Sequence, residues 1–224
     1  MKLESDPKCR AQFIQHQPAT STSIQPQAAV PPVPVPQSLV PGPSSLLDQG
    51  MPGTIRLVPY DTTWPLEFGA EMARIERACD GLPIRLEHIG STSIPGLAAK
   101  PVIDILAGRP GTVAGSAYVA AFKQLGYEHK GAYGIPGRNY FRKGTPRTHH
   151  VHLVSWSSDL WRDHLLFRDY LRSHPEIARD YETIKRELAT MYVQDKENYT
   201  DAKGPFVRSI VRRARDEGFE AFVP

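Results

Sequence analysis

Glu87-His88-Ile89-Gly90-Ser91-Thr92-Ser93-Ile94-Pro95-Gly96-Leu97-Ala98-Ala99-Lys100-Pro101-Val102-Ile103-Asp104-Ile105-Leu106 is the stretch on which the fold turns. Apolar and polar residues alternate through Ile84–Ile89, the period of a strand with one covered face. A Gly/Ser/Thr turn follows. Val102-Ile103-Asp104-Ile105-Leu106-Ala107 is then almost wholly apolar, which suits a strand covered on both faces. Asp104 interrupts it. An ionised carboxylate is costly to bury unpaired. Asp104 therefore sits at an open strand end, binds a cation or pairs with a base. A structural salt bridge would also place it there.

Working outward, Phe68, Met72, Ile75 and Cys79 recur at helical spacing, with Pro65 in the first turn and Gly81 and Pro83 past the end. Asp61 and Thr62-Thr63 offer the N-cap. Ile55–Val58 reads as a short strand. Ala117, Ala120, Ala121 and Leu125 mark a second helix. Strands are expected over Tyr127–Lys130, Arg138–Lys143 and His149–Val154, then helices over about 158–173, 176–192 and 201–217. A strand-rich half followed by helices predicts an α+β fold, a mixed sheet with flanking helices and a C-terminal helical part.

Ten of the 21 prolines fall in residues 1–52, with seven glutamines and one aromatic residue, Phe13. That composition favours polyproline II and offers little to bury, so 1–52 is expected to be a disordered tail, passive or a docking peptide. The domain is expected over 53–224. Charges in the tail balance, which leaves the net +3 on the domain, too mild to indicate nucleic acid. No apolar run reaches the roughly 20 residues of a membrane span. Two cysteines, Cys9 and Cys79, make no disulfide framework or metal pair. The N-terminus lacks a secretory apolar core, and a cytoplasmic location is expected.

Several groups could carry chemistry. The Gly90-Ser91-Thr92 turn leaves a strand where backbone and hydroxyls can approach a phosphate, or where Gly90 simply makes the turn. Strand alternation puts His150 and His152 on one face, suited to metal binding or acid–base work. The basic set Arg138, Arg142, Lys143 and Arg147 around Tyr140 and Phe141 can bind phosphate oxygens or line a solvated edge. Trp161, Leu165 and Arg168 share a helix face, and Lys203 could face a cleft.

Taken together, Leu57-Val58-Pro59-Tyr60-Asp61 with Trp64-Pro65, Glu87–Leu106, Gly137–Gly144, Arg147–Val154, His164–Pro175, Tyr199-Thr200 and Lys203 resemble the GrpB family, a branch of the minimal nucleotidyltransferase superfamily. The resemblance covers residues 55–215 and implies a nucleotidyltransferase-like mixed sheet. It implies Asp104, His150 and His152 as catalytic and metal-holding residues. Gly90, Ser91, Thr92, Lys100, Arg138, Lys143, Arg168 and Lys203 would contact a nucleotide or other phosphate-bearing substrate. The superfamily pattern hG[GS]…Dh[DE]h is incomplete. Ile89-Gly90-Ser91 fits the first part, but Leu106 stands where the second acid belongs, or Val102 where the first does. A histidine would occupy the third acid's place. With one carboxylate and two imidazoles, a single Mn²⁺ or Zn²⁺ is expected in preference to two Mg²⁺. Nucleotidyl transfer from a nucleoside triphosphate is the leading expectation. A non-catalytic nucleotide- or phosphate-binding module and a metal-dependent phosphohydrolase are the alternatives. Family relatives fused to dephospho-CoA kinase point to a coenzyme A or nucleotide ligand.

Overall fold

The quoted stretch folds as a strand, a tight turn and a second strand. A computed structural model describes residues 54–221. The expected tail, 1–52, lies outside them. Strand β1 (Arg85–Ile89) runs antiparallel to β2 (Ile103–Arg109), joined through a 3-10 turn at Ser91–Ser93. Strands β3 (Glu128–His129), β4 (Asn139–Lys143) and β5 (His149–Ser155) complete a five-stranded sheet of order β1-β2-β5-β4-β3. The central pair, β2 and β5, is parallel and the remaining pairs are antiparallel. The α+β class with a mixed sheet is thus the observed architecture.

Alternation along β2 divides the sheet's two faces. Ile103, Ile105 and Ala107 point to one core, shared with Phe141, Val151 and Leu153. Helices α1 (Trp64–Ala78) and α2 (Val119–Gln124) cover it through Trp64, Ile75, Ala121 and Phe122. Asp61 accepts hydrogen bonds from the Thr63 amide and hydroxyl, both 2.8 Å, to fix the entry into α1. On the other face, Leu106 packs with Ile89, Val154, Trp161 and Leu165. The last two belong to α3 (Asp159–Ser173), which Ser158 caps by accepting from the Trp161 amide.

Helices α3, α4 (Pro175–Met191) and α6 (Gly204–Asp216) form a separate apolar cluster with Ile94 and Leu97, so the residues after the turn are seated on the helical part. Among the described residues no helix is long and apolar enough to cross a membrane.

Two expectations are corrected. Ile55–Val58 is not a strand. Val58 makes an isolated bridge to Ala99, while the Ile55 amide bonds to Val193 O, so successive residues find different partners and no ladder forms. The segment after 195 is two helices rather than one. A short α5 (Lys196–Ala202), capped by Asp195, precedes α6. Tyr199 is its only buried residue, which left no apolar period to read.

Candidate functional site

Parallel pairing sets Asp104 of β2 directly opposite His150 of β5, with His152 two residues along on the same face. Tyr140 and Arg142 of β4 lie opposite His152 and His150 and extend the row. His150 Nδ1 is 3.0 Å from Asp104 Oδ1. An ionised carboxylate only accepts, so this nitrogen carries the proton and donates, leaving Nε2 of the neutral ring with its lone pair. His152 Nε2 stands 4.0 Å from the same oxygen. Its Nδ1 is 3.4 Å from Arg138 Nη1, and a guanidinium only donates, so His152 carries its proton on Nε2, toward Asp104. Burial pushes the Asp104 carboxyl up. The His150 hydrogen bond and the charge of Lys203 outweigh it and hold the pKa below the ordinary value.

The Gly90 turn closes over this acid. Gly90 has φ 72°, and a Cβ there would lie 2.5 Å from Asp104 Oδ2 and 3.0 Å from Asp104 Cβ. The Ser91 side chain lies near the hydroxyl of Tyr181 of α4. Thr92 turns inward. Its hydroxyl meets His88 Nε2 at 3.0 Å, beneath a His88 ring stacked on Phe68.

Two cations lie within reach of the Asp104 charge. Lys100 Nζ and Lys203 Nζ lie 4.1 and 4.4 Å from the centroid of one ring, Tyr199. Among the described residues neither ammonium forms an ion pair. Burial, then the charges of Lys203 and Lys196, bring the Lys100 pKa down to about 8. Burial brings Lys203 down to about 8 as well, with the field of Asp104 opposing. Deeper in, Lys185 of α4 donates to Ala98 O, and Glu182 accepts from the Ala98 amide at 2.9 Å, clamping the segment that carries Lys100. Burial lowers Lys185 to about 7. Helix α3 adds His164, whose ring centroid is 5.3 Å from that of His152 and whose pKa burial lowers to about 4.

Of the residues singled out in the sequence, Asp104, His150, His152 and Gly90 meet in one place. Ser91 borders it, and the charge of Asp104 reaches Lys100 and Lys203. Two of the expected cations are engaged elsewhere, and a third, Arg138, reaches the site only at His152. Lys143 points to the opposite face and pairs with Glu71 of α1 at 2.7 Å. Arg168 is buried, bound to Glu87, to Asp169 and to the His88 carbonyl, and locks α3 onto β1. Arg138 donates to the carbonyls of Ala132 and Tyr133 and so holds the loop before β4. Tyr181, Tyr199 and Lys185 are the site residues to which the sequence assigned no role, whereas Tyr140 stood in the expected basic and aromatic set. The four-residue spacing of Tyr199 and Lys203 was the one available signal, an aromatic ring under a cation on a helix.

As folded, the expected metal donors do not fit a shared ion. Among the described residues no three His, Cys, Asp or Glu side chains are placed to hold one. His152 Nε2 bears a proton and Asp104 Oδ1 is taken by His150, which leaves Asp104 Oδ2 and His150 Nε2 as open donors. Leu106, where a second acid would stand, is sealed under Trp161 and Leu165.

Residues 54–213 match the family model described as GrpB protein. The UPF0157 protein YqkA of Bacillus subtilis is 38% identical over 162 residues, 72% of this chain and 47% of that protein. The chain thus spans about half of YqkA's length. Glutamate-rich protein GrpB of Alkalihalophilus pseudofirmus is 34% identical over 169 residues, 71% of this chain and 95% of that protein. Among solved structures, the conserved protein GrpB from Enterococcus faecalis superposes with a TM-score of 0.67 at 35% identity, covering 74% of this chain and 100% of that one.

Proposed function

This chain belongs to the GrpB family, and from that premise we propose that its cleft binds a nucleotide by its phosphates and transfers a phosphorus-centred group to an acceptor hydroxyl. One observation carries the reading: Lys100 and Lys203 share the Tyr199 ring, desolvated and without an ion pair among the described residues. Two like charges held together out of water are unfavourable until an anion joins them. Phosphate oxygens are the hard, multivalent acceptors that two ammonium groups suit. The Gly90-Ser91 turn bounds the same space from the strand side.

The chemistry falls to His150. Asp104 fixes its tautomer and orientation through the 3.0 Å bond. Its Nε2 is then a base able to take a proton from an attacking hydroxyl, and the imidazolium so formed is stabilised by Asp104. Lys100 and Lys203 offset the charge that builds on the phosphorus oxygens and the leaving group. A nucleotidyl transfer would form a new P–O bond to the acceptor and release pyrophosphate. Water in the acceptor's place gives hydrolysis by the same groups.

Calorimetric titration of the full chain with ATP tests the binding. Occupation of the site raises the depressed lysine pKa values. Affinity therefore holds below about pH 8 and falls as pH rises through it, well before the 10.5 of an ordinary lysine. Lys100→Met with Lys203→Met should abolish binding. Pyrophosphate release, with and without Mn²⁺, tests the turnover, which Asp104→Asn should reduce by at least about a hundredfold. No ATP binding, or binding indifferent to the double variant, would sink the phosphate site. Turnover untouched by Asp104→Asn would sink the role of the pair.

A further inference from the structure

The loop 131–138 sits beside this site and is unaccounted for by phosphate binding. It runs Gly131-Ala132-Tyr133-Gly134-Ile135-Pro136-Gly137-Arg138, with Tyr133 at φ 45°, the one described non-glycine residue with positive φ. Arg138 holds Tyr133 there by donating to its carbonyl at 2.6 Å. Tyr133 is 49% exposed, among the few large apolar residues that face solvent in the described part of the chain. Its ring stacks on Tyr140, centroids 5.3 Å apart and planes 22° from parallel. Tyr140 in turn lies 5.5 Å from the His150 ring and 5.1 Å from His152. An aromatic step thus leads from the Asp104–His150 pair out to solvent. Beside it, Arg142 stands 5.6 Å from the Tyr133 centroid. Arg142 is loosely held, with a 3.5 Å contact to Glu128 and a buried Nε that has no hydrogen-bond partner.

We propose that Tyr133, backed by Tyr140 and flanked by Arg142, is the shelf on which the ligand's nucleobase stacks. The inference rests on the phosphate site above and adds the part of the ligand that site leaves unspecified. A base is planar, carries ring nitrogens and carbonyls that accept hydrogen bonds, and stacks on tyrosine whatever its identity. Arg142 can close over its second face or donate to its acceptors. Arg138, which the resemblance assigns to substrate, is a positioning residue for this shelf. A stacking shelf without a base-reading pocket predicts tolerance among purine and pyrimidine nucleotides.

The test compares ATP with inorganic tripolyphosphate, which carries the phosphates without the base, on the full chain by calorimetry. The wild type should bind ATP more tightly than tripolyphosphate. Tyr133→Ala should weaken ATP by about tenfold and leave tripolyphosphate unchanged, since base–aromatic stacking has that size. Tyr133→Phe, which keeps the ring, should retain ATP affinity. A wild type that binds both equally, or a Tyr133→Ala variant with ATP unchanged or with both ligands weakened alike, overturns the shelf and spares the phosphate site. A wild type that binds neither ligand overturns both. Unfolding midpoints of the variants exclude a loss through misfolding.

Discussion

Replacing Gly90 by alanine should damage fold and site together, by an amount the structure sets. The backbone there has φ 72° and ψ −175°, a region kept essentially for glycine, which an L-residue adopts at a cost of about 1–3 kcal/mol. The new methyl would also lie 2.5 Å from Asp104 Oδ2, 3.1 Å from its Cγ and 3.0 Å from its Cβ. Asp104 cannot easily swing aside, being short and bound to His150 at 3.0 Å. Overpacking of this kind costs about 1–3 kcal/mol. Gly90→Ala should therefore lose about 2–6 kcal/mol in urea unfolding, a fall in Tm of about 4–24 °C for a domain of this size. The two contributions separate in a double-mutant cycle. Asp104→Ala removes Oδ2 and Cγ but not the backbone strain. In that background Gly90→Ala should cost less, with a coupling of about 1–3 kcal/mol. The same cost in both backgrounds, or a cost under about 1 kcal/mol, would refute the close approach of the turn to the acid.

Two further perturbations probe the frame. Arg168→Ala should destabilise by about 3–5 kcal/mol, because it strands Glu87 beside a buried strand and removes the shorter of the ion pairs of Asp169. A variant of normal urea midpoint but weakened ATP binding would return Arg168 to the ligand. The buried His88, lowered to about 4 chiefly by desolvation, ties stability to pH. The folded protein keeps it neutral while the unfolded chain takes up a proton below about 6.5, so its contribution is complete above 6.5 and lost as pH falls toward 4. The slope attributable to it is up to about 1.4 kcal/mol per pH unit. Unfolding curves at pH 7, 6, 5 and 4.5 should be shallower in pH for His88→Phe, and equal slopes would contradict the assignment.

Much of this molecule is legible in its sequence, for identifiable reasons. Alternation in 84–89 and the apolar run of 102–107 reported their strands because burial on one face or two leaves different patterns. The same alternation placed His150 with His152 on one face, as found. The pairing of Asp104 with His150 was beyond it. Forty-six positions separate them, and only the parallel ladder, a long-range choice, makes them neighbours. Cations were the least legible. Arg168 shares the buried stripe of Trp161 and Leu165, and that spacing pointed inward, but its partners Glu87 and Asp169 come from a strand and from its own neighbour. Lysine chemistry does not distinguish Lys203 over an aromatic ring from Lys143 against a carboxylate. Ile55–Val58 had strand composition without a partner edge, and α5 had helix geometry with Tyr199 alone to bury.

The alignment of β2 with β5 also decides where this gene can gain or lose codons. The ladder matches Ile103 with His149 and Asp104 with His150. A single-residue deletion inside 149–155 would rotate the remainder of that strand and deliver Val151 or Leu153 to the acid. The connection at 110–114, unlike the anchored loop at 131–138, bears no such phase constraint. Length changes among descendants of this sequence should accumulate there, in any number, and enter the two central strands in none.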